Sequence, residues 1–316
     1  MQRRHLVFAA QAVGSLVLLA ILFRSFDWQK SADALRHISA SFYATSMGVV
    51  IVGQLMVTLR WQIMLKTLGI RVSFGEVFRQ GLIGQFFSSL MPTAVGGDAA
   101  KVYYLGRRAG YTEVGASVFL DRFLGFQWLS ILGAALAWST PADSELLVLN
   151  RNALTLFAAI LLTVSLTTLL PIERALAVIV PSRWGALRSR LIEFAGYVRT
   201  GVRSPSAIGV SLFVAVGFSW MMGELYRTYF RANGLPDLPI LPVMLLILSM
   251  SIYANAPVSV NGIGLREQLH VFMFSGYGVP REVSVLISLL LFSHNLLLSL
   301  AGYVIWLKDK PPGPPS

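Results

Sequence analysis

Long apolar runs that are almost free of charge are the feature that most constrains how this chain can fold. A helix needs about 20 apolar residues to cross a bilayer. Six runs meet this need, at residues 6–23, 41–59, 114–138, 152–170, 207–226 and 282–307. Only 13% of the 316 residues are charged and the mean hydropathy is +0.66, so polar surface is too scarce to cover soluble domains. The sequence therefore predicts one all-α polytopic membrane domain over residues 1–316.

Two further apolar stretches stop at a proline instead of completing a span. They cover residues 77–90 and 241–256, and the prolines are Pro92 and Pro257. Proline lacks a backbone N–H and disfavours helix in the residue before it. A glycine-rich bend follows each stretch, and then a short helix is predicted over 99–107 or 265–275. We therefore expect two broken helix pairs, and the sequence leaves open whether each is re-entrant or two short spans.

The distribution of basic residues predicts the orientation. With the N-terminus in the cytoplasm, lysines and arginines fall roughly two to one on the cytoplasmic side, with Arg60 counted there at the end of the second span. Both termini are then cytoplasmic, and the bacterial inner membrane is the expected location. An amphipathic cytoplasmic connector is predicted over 171–205 and a disordered tail over 311–316.

Composition also narrows the classes of function. The positive-inside bias accounts for the net charge of +11, so no nucleic-acid partner is expected. The chain has no cysteine, and its four histidines are scattered without a metal-ligand spacing. We predict no catalytic residue, no metal site and no cofactor.

The two halves of the chain match at a fixed offset of 165 residues. The matching pairs are Lys66 and Arg231, Gly69 and Gly234, Pro92 and Pro257, Val95 and Val260, Gly97 and Gly262, and Lys101 and Arg266. This predicts an internal repeat, with copies at about 41–139 and 206–307. An odd number of crossings separates the copies, so the repeat is expected to be inverted, as in many secondary transporters.

The two glycine-rich breaks contain the residues expected to bind an anionic lipid headgroup. Bare backbone N–H groups at a helix start, next to a cation one turn on, suit a phosphate. The predicted headgroup-binding residues are Gly96, Gly97, Asp98, Lys101, Arg122, Asn261, Gly262, Gly264 and Arg266. Asp98 is most simply the N-cap of the first short helix, while Asn261 and Gly262 are expected to open the second. Close helix packing is the alternative explanation for the glycines.

Ionisable residues in apolar segments are costly and are candidates for a charge relay. They are Asp121, Glu224, Glu267 and His294. Structural alternatives stay open. Arg122 could pair with Asp98 or Glu224, Glu224 could pair with Arg227 one turn away, and Glu267 could neutralise its neighbour.

Three motifs carry a resemblance to a known family. They are Pro92-x-x-x-Gly96-Gly97-Asp98-Ala99-x-Lys101, Leu120-Asp121-Arg122-x-x-Gly125 and Gly262-x-Gly264-x-Arg266-Glu267. The chain resembles the lysylphosphatidylglycerol synthase transmembrane (flippase-like) family over nearly its whole length. That family includes the N-terminal half of the multiple peptide resistance factor, and it usually has arginine at the position of Lys101.

The resemblance implies a lipid flippase whose substrate is a phospholipid or glycolipid, a class that includes aminoacylated and glycosylated lipids. The family's aminoacyl transfer belongs to a separate soluble domain, and the chain has no room for one after its last predicted span, so we expect no synthase activity. Two alternatives remain open: a membrane glycosyltransferase-type enzyme acting on a lipid phosphate, and a non-transporting partner of a lipid-modifying enzyme.

Overall fold

A computed structural model describes residues 2–24, 27–36, 38–91, 95–140, 145–170, 180, 184–256 and 258–308. Within these ranges the protein is all-helical, with no strand. The α-helices are α1 (Gln2–Phe23), α2 (Trp28–Arg36), α3 (Ala40–Thr67), α4 (Phe74–Leu90), α5 (Val95–Ala109), α6 (Tyr111–Ser139), α7 (Glu145–Thr168), α8 (Gly185–Arg203), α9 (Pro205–Ala232), α10 (Ile240–Tyr253), α11 (Leu265–Ser275) and α12 (Arg281–Lys308).

Five of these helices are long and apolar enough to cross a membrane. The spanning segments are Ala40–Thr67, Tyr111–Ser139, Leu147–Thr168, Pro205–Ala232 and Arg281–Lys308. They contain the last five predicted spans almost entirely, and most extend beyond them. For the first predicted span, the described apolar part of α1 is Val13–Leu22, so a crossing by α1 stays a prediction.

Helices α3 and α9 begin and end in the same way. Each has 28 residues and starts after a serine, Ser39 or Ser204, whose side chain accepts a hydrogen bond from the backbone N–H three residues on. Each is followed by a glycine in the left-handed region, Gly69 with φ +83° and Gly234 with φ +72°. These boundaries are separated by the offset found in the sequence, which supports the predicted repeat. The inverted orientation of the copies stays a prediction.

Both predicted breaks are present, but their second helices start differently from the prediction. Helix α5 begins at Val95, so Asp98 lies inside its first turn and is not its N-cap. A short 3₁₀ turn, Val260–Gly262, precedes α11, whose N-cap is Gly264 with φ +82°. The prediction that Asn261 and Gly262 open this helix was therefore wrong. Pro92 and Pro257 lie outside the described residues.

Two elements lie beside the spans. Helix α8 occupies much of the predicted amphipathic connector, of which residues 171–179 and 181–183 lie outside the described ranges. Helix α2, a short amphipathic helix, was not predicted. Helix α1 packs on the second break, where the Ser15 hydroxyl accepts a hydrogen bond from the Val260 N–H at 2.9 Å. The second break is thereby held by a helix from outside both copies of the repeat.

Candidate functional site

The first cluster of charges surrounds the Asp98 carboxylate at the start of α5. Arg122 of α6 donates to it from Nε at 2.9 Å and from Nη2 at 3.3 Å. Lys101, one turn along α5, places Nζ 3.7 Å from Oδ1 of Asp98 and 5.0 Å from the centre of the Trp61 ring. Of the two predicted alternatives for Arg122, the structure therefore shows the pair with Asp98. Both cations already have a carboxylate partner.

Asp121, next to Arg122 in sequence, faces a different helix. Arg60 of α3 donates to its carboxylate from Nε at 2.7 Å and from Nη2 at 3.2 Å. The side chains are only 12% and 7% exposed. Gly125 makes room for this pair, because a Cβ there would lie 2.9 Å from Nη1 of Arg60. Arg60, which the charge count assigns to the cytoplasmic side, lies within α3, because this helix continues past it to Thr67.

The glycines at the first break lie where helices or side chains come very close. A Cβ on Gly97 would lie 2.2 Å from the Gly84 carbonyl oxygen of α4. A Cβ on Gly96 would lie 2.3 Å from the sulfur of Met91. These contacts give both glycines a packing role, which is the alternative that the sequence left open.

At the second break, Arg266 is a cation whose hydrogen-bonding capacity is largely unused. Its Nε lies 3.5 Å from Oε1 of Glu267, and its guanidinium carbon lies 4.8 Å from the centre of the Phe292 ring. Within the described part of the chain, the buried Nε and Nη2 atoms have no hydrogen-bond partner. Unpaired buried donors carry a large desolvation cost, so this site is suited to an anion that accepts from them.

Glu267 forms an ion pair with Arg266 but no hydrogen bond to it, and its carboxylate accepts from two other groups. Oε2 accepts from the Gly264 N–H at 2.7 Å and caps α11. Oε1 accepts from the Ser288 hydroxyl of α12 at 3.1 Å. The side chain is 3% exposed. Glu267 thus fixes the start of the helix that presents Arg266.

His270 and Tyr226 form a buried pair beside Arg266. Nδ1 of His270 lies 2.7 Å from the Arg266 carbonyl oxygen, which can only accept, so Nδ1 carries the proton. In the neutral ring Nε2 then accepts from the Tyr226 hydroxyl of α9 at 2.6 Å. Tyr226 lies 165 residues after Trp61, the aromatic residue beside Lys101. Each copy of the predicted repeat therefore places an aromatic residue of its first long helix near its basic residue.

A cavity of about 270 Å³ opens next to Arg266. Its wall is formed by α3, α9, α10, α11 and α12 and is mostly apolar. Its polar side chains are Gln54, Tyr226, Ser251, Arg266, His270 and Asn295. Lys101, Arg122 and Asp98 are not among its described lining residues. Of the predicted headgroup residues whose side chains the structure describes, only Arg266 lines this cavity.

The remaining predicted residues have local partners. His294 is fully buried. Its Nδ1 lies 2.5 Å from the Leu290 carbonyl oxygen, and its Nε2 lies 3.1 Å from the Ser46 hydroxyl oxygen. Glu224 accepts from Arg227 at 2.7 Å, as the helix-pair alternative proposed. The side chain of Asn261 lies outside the described part of the structure.

Sequence reasoning missed four residues of these clusters: Arg60, Gln54, Tyr226 and His270. Arg60 could have been found from the sequence if the helix had been extended beyond the apolar run that ends at residue 59. For Tyr226, the repeat offset from Trp61 was available. Gln54 and His270 carry no signal of their own, because a single polar residue in an apolar helix has many explanations.

Comparisons with known proteins extend over both clusters. The sequence profile of the family described as "Lysylphosphatidylglycerol synthase TM region" matches residues 7–302. The chain is 27% identical to a UPF0104 membrane protein of Pyrococcus horikoshii, over 78% of this chain and 81% of the relative. It is 24% identical to a UPF0104 membrane protein of Methanothermobacter thermautotrophicus, over 89% of this chain and 86% of the relative. No solved structure gives a significant match.

Proposed function

Because the chain belongs to the family of the lysylphosphatidylglycerol synthase transmembrane region, we propose that this multi-pass membrane protein is a flippase. Its substrate would be a phosphate-containing lipid. The lipid headgroup crosses through the interior of the protein while the acyl tails stay in the bilayer. The protein acts as a transporter and catalyses no bond-breaking step.

The observation that carries this proposal is the guanidinium of Arg266. Two of its nitrogen atoms are buried without a hydrogen-bond partner among the described residues, and the side chain lines a cavity inside an apolar helical domain. An ionised group within a membrane protein usually faces a partner or a substrate path. A phosphate offers several acceptor oxygens and a negative charge, and the planar fork of arginine can bind two of those oxygens together.

The cavity volume suits a headgroup better than a complete lipid. At about 270 Å³ it lies just below the range of roughly 300–1,000 Å³ typical of small-molecule pockets. Its apolar wall is compatible with tails that remain outside in lipid. The Asp98, Lys101 and Arg122 cluster supplies a second basic point in the other predicted copy, where a phosphate would compete with Asp98.

We place this activity in the bacterial inner membrane, with both termini in the cytoplasm. Transport runs down the lipid gradient or is coupled to an ion, with Asp121, Glu224, Glu267 and His294 as the candidate relay. A lipid-modifying enzyme is the proposed protein partner, because it would supply or consume the transported lipid. Co-purification from native membranes with such an enzyme tests that part.

The test is lipid translocation by the full chain in vesicles. Labelled phospholipid is added in trace amounts, and a membrane-impermeant reductant bleaches the outer leaflet. The wild type should expose inner-leaflet lipid far faster than protein-free vesicles, and Lys101→Ala/Arg266→Ala should abolish the gain. Arg36→Gln is the control variant: it also removes a positive charge, but from a side chain that is 80% exposed. It should translocate lipid as fast as the wild type. Wild-type rates equal to those of empty vesicles would contradict the proposal.

A further inference from the structure

The described wall of the cavity beside Arg266 contains a cation and no carboxylate, which bears on the kind of headgroup it can hold. Arg266 is positively charged, and the other polar groups of its described wall are amides, hydroxyls and the imidazole of His270. None of these described lining residues is acidic. Glu267 forms an ion pair with Arg266 at 3.5 Å, but it is not among the described lining residues, and its carboxylate accepts from Gly264 and Ser288. An ammonium group in the cavity would face the guanidinium of Arg266 and no carboxylate of the described wall.

From this arrangement we infer that the protein selects lipids by headgroup charge: it takes phosphodiester headgroups that bear hydroxyls and excludes those that bear an ammonium group. This inference rests on the proposed function and names its substrate class. An anionic headgroup compensates Arg266. A headgroup with an ammonium group loses its hydration inside an apolar wall and is repelled by the guanidinium.

The polar side chains of the wall suit hydroxyl groups in particular. The Gln54 amide makes no hydrogen bond within the described part of the chain, so it can both donate to and accept from a hydroxyl. The Ser251 hydroxyl donates to the Ile247 carbonyl oxygen at 2.8 Å, which leaves its oxygen able to accept. The Tyr226 oxygen can accept as well, since its proton goes to His270. Neutral donors and acceptors thus surround the space next to the phosphate position.

Asn295 contributes less to recognition, because its amide is already used. It accepts from Gln85 at 3.3 Å and donates to the Leu291 carbonyl oxygen at 2.8 Å. Recognition beyond the phosphate therefore depends on Gln54, Ser251 and Tyr226. A change of charge at Gln54 or Ser251 should change the selection without touching Arg266.

The experiment compares three lipids with the same acyl chains and the same label on one chain, so that each headgroup is unmodified. They are phosphatidylglycerol, phosphatidylethanolamine and lysyl-phosphatidylglycerol, translocated by the full chain in vesicles. Phosphatidylglycerol should cross about tenfold faster or more than either ammonium-bearing lipid, because all three phosphates can pair with Arg266 but the ammonium groups face no carboxylate in the described wall.

Two variants test the cause. Gln54→Glu adds a carboxylate to the wall and should narrow the preference by slowing phosphatidylglycerol and speeding the ammonium-bearing lipids. Ser251→Asp adds a carboxylate from α10 and should narrow the preference in the same direction. If Gln54→Glu does not fold, Ser251→Asp tests the charge selection by itself. Gln54→Met, of similar shape without the charge, is the matched control and should keep ammonium-bearing lipids slow.

The outcomes separate this inference from the function on which it rests. If the wild type moves ammonium-bearing lipids as fast as phosphatidylglycerol, the charge selection is overturned and the flippase proposal stands. A preference that folded Gln54→Glu and Ser251→Asp leave unchanged would also overturn it. If no lipid crosses faster than in protein-free vesicles, both the flippase proposal and the selection fail.

Discussion

Arg60 and Asp121 meet across α3 and α6, with two hydrogen bonds of 2.7 and 3.2 Å between guanidinium and carboxylate. The pair leaves Asp121 largely buried while its sequence neighbour Arg122 turns to Asp98. Adjacent helical residues point about 100° apart, so the two neighbours can bind different helices. This one dipeptide therefore links α6 to both α3 and α5.

Removing one member of this pair should destabilise the protein strongly. Arg60→Leu leaves the Asp121 carboxylate buried without its partner, and a loss of about 3 kcal/mol or more in the free energy of unfolding is expected. Thermal unfolding in detergent measures the effect. Arg36→Leu, which breaks an exposed pair with Asp33, is the control and should change stability by less than about 1 kcal/mol. Equal shifts for the two variants would contradict the structural role of Arg60.

The double variant Arg60→Leu/Asp121→Leu should recover much of that loss. Replacing a buried ion pair with apolar side chains is often neutral, because both desolvation costs disappear together. A double variant as unstable as Arg60→Leu would show that the pair contributes beyond charge compensation.

Gly97 should not tolerate even a methyl group. A Cβ there would lie 2.1 Å from the Ser88 hydroxyl oxygen and 2.2 Å from the Gly84 carbonyl oxygen, so Gly97→Ala must separate α4 from α5. We expect a loss of about 2 kcal/mol. Gly48→Ala in α3, where nothing lies within 4 Å of the added Cβ, is the matched control and should stabilise by about 0.5 kcal/mol. A stable Gly97→Ala that fails to move lipid would instead favour a direct substrate role.

The sequence predicted the parts of this fold that depend on local patterns. Apolar runs located five long helices, and the segments ending before Pro92 and Pro257 located both breaks. Contacts between helices were harder to predict from the sequence. Arg60 is separated from Asp121 by 61 residues, and either residue could have paired with another charge. Similarly, the position of Arg266 was predicted, but the absence of described hydrogen-bond partners for its Nε and Nη2 depends on how five helices pack.

The topology can be tested directly because the chain has no native cysteine. Asp33, in α2, has a side chain that is 65% exposed, and Ser189, in α8, is also exposed. With both termini cytoplasmic, Asp33→Cys should react with an impermeant maleimide on intact cells, while Ser189→Cys should react only after permeabilisation. The cysteine-free wild type gives the background. The reverse labelling pattern would overturn the predicted orientation.

Tyr197 of α8 should make the protein sensitive to alkaline pH. Its single hydroxyl proton is shared between Glu113, with an oxygen at 3.2 Å, and Glu193, with an oxygen at 3.3 Å. Partial burial, followed by these two carboxylates, raises its pKa from 10.0 to about 12. The folded state thus retains the proton more strongly, and the stabilisation is complete below pH 10 and is lost as the pH rises through about 12.

Tyr197→Phe should remove this part of the alkaline loss of stability. The measurement is the melting temperature across the alkaline range, with ultraviolet titration of tyrosinate in the folded state. Tyr111→Phe, on a tyrosine that is exposed, is the matched control and should keep the wild-type pH dependence. Because Tyr197 is half-buried and solvent screens its interaction with the two carboxylates, the difference in melting temperature between wild type and Tyr197→Phe should be modest. Identical curves for wild type and Tyr197→Phe would refute the assignment.

Lys101 and Arg266 occupy equivalent positions in the predicted repeat, yet their replacement should have unequal effects on transport. Lys101 already has Asp98 at 3.7 Å, whereas Nε and Nη2 of Arg266 lack a hydrogen-bond partner among the described residues. Arg266→Gln should slow phospholipid translocation by about tenfold or more, which corresponds to about 1.4 kcal/mol, and Lys101→Gln by about twofold.

Arg266→Lys separates charge from shape at this site. Lysine keeps the charge but loses the planar fork, so its rate should fall between those of wild type and Arg266→Gln. All variants are compared at equal protein content in vesicles, after size-exclusion chromatography shows that each is folded. A larger loss from Lys101→Gln than from Arg266→Gln would move the headgroup site to the first break, beside Asp98 and Arg122.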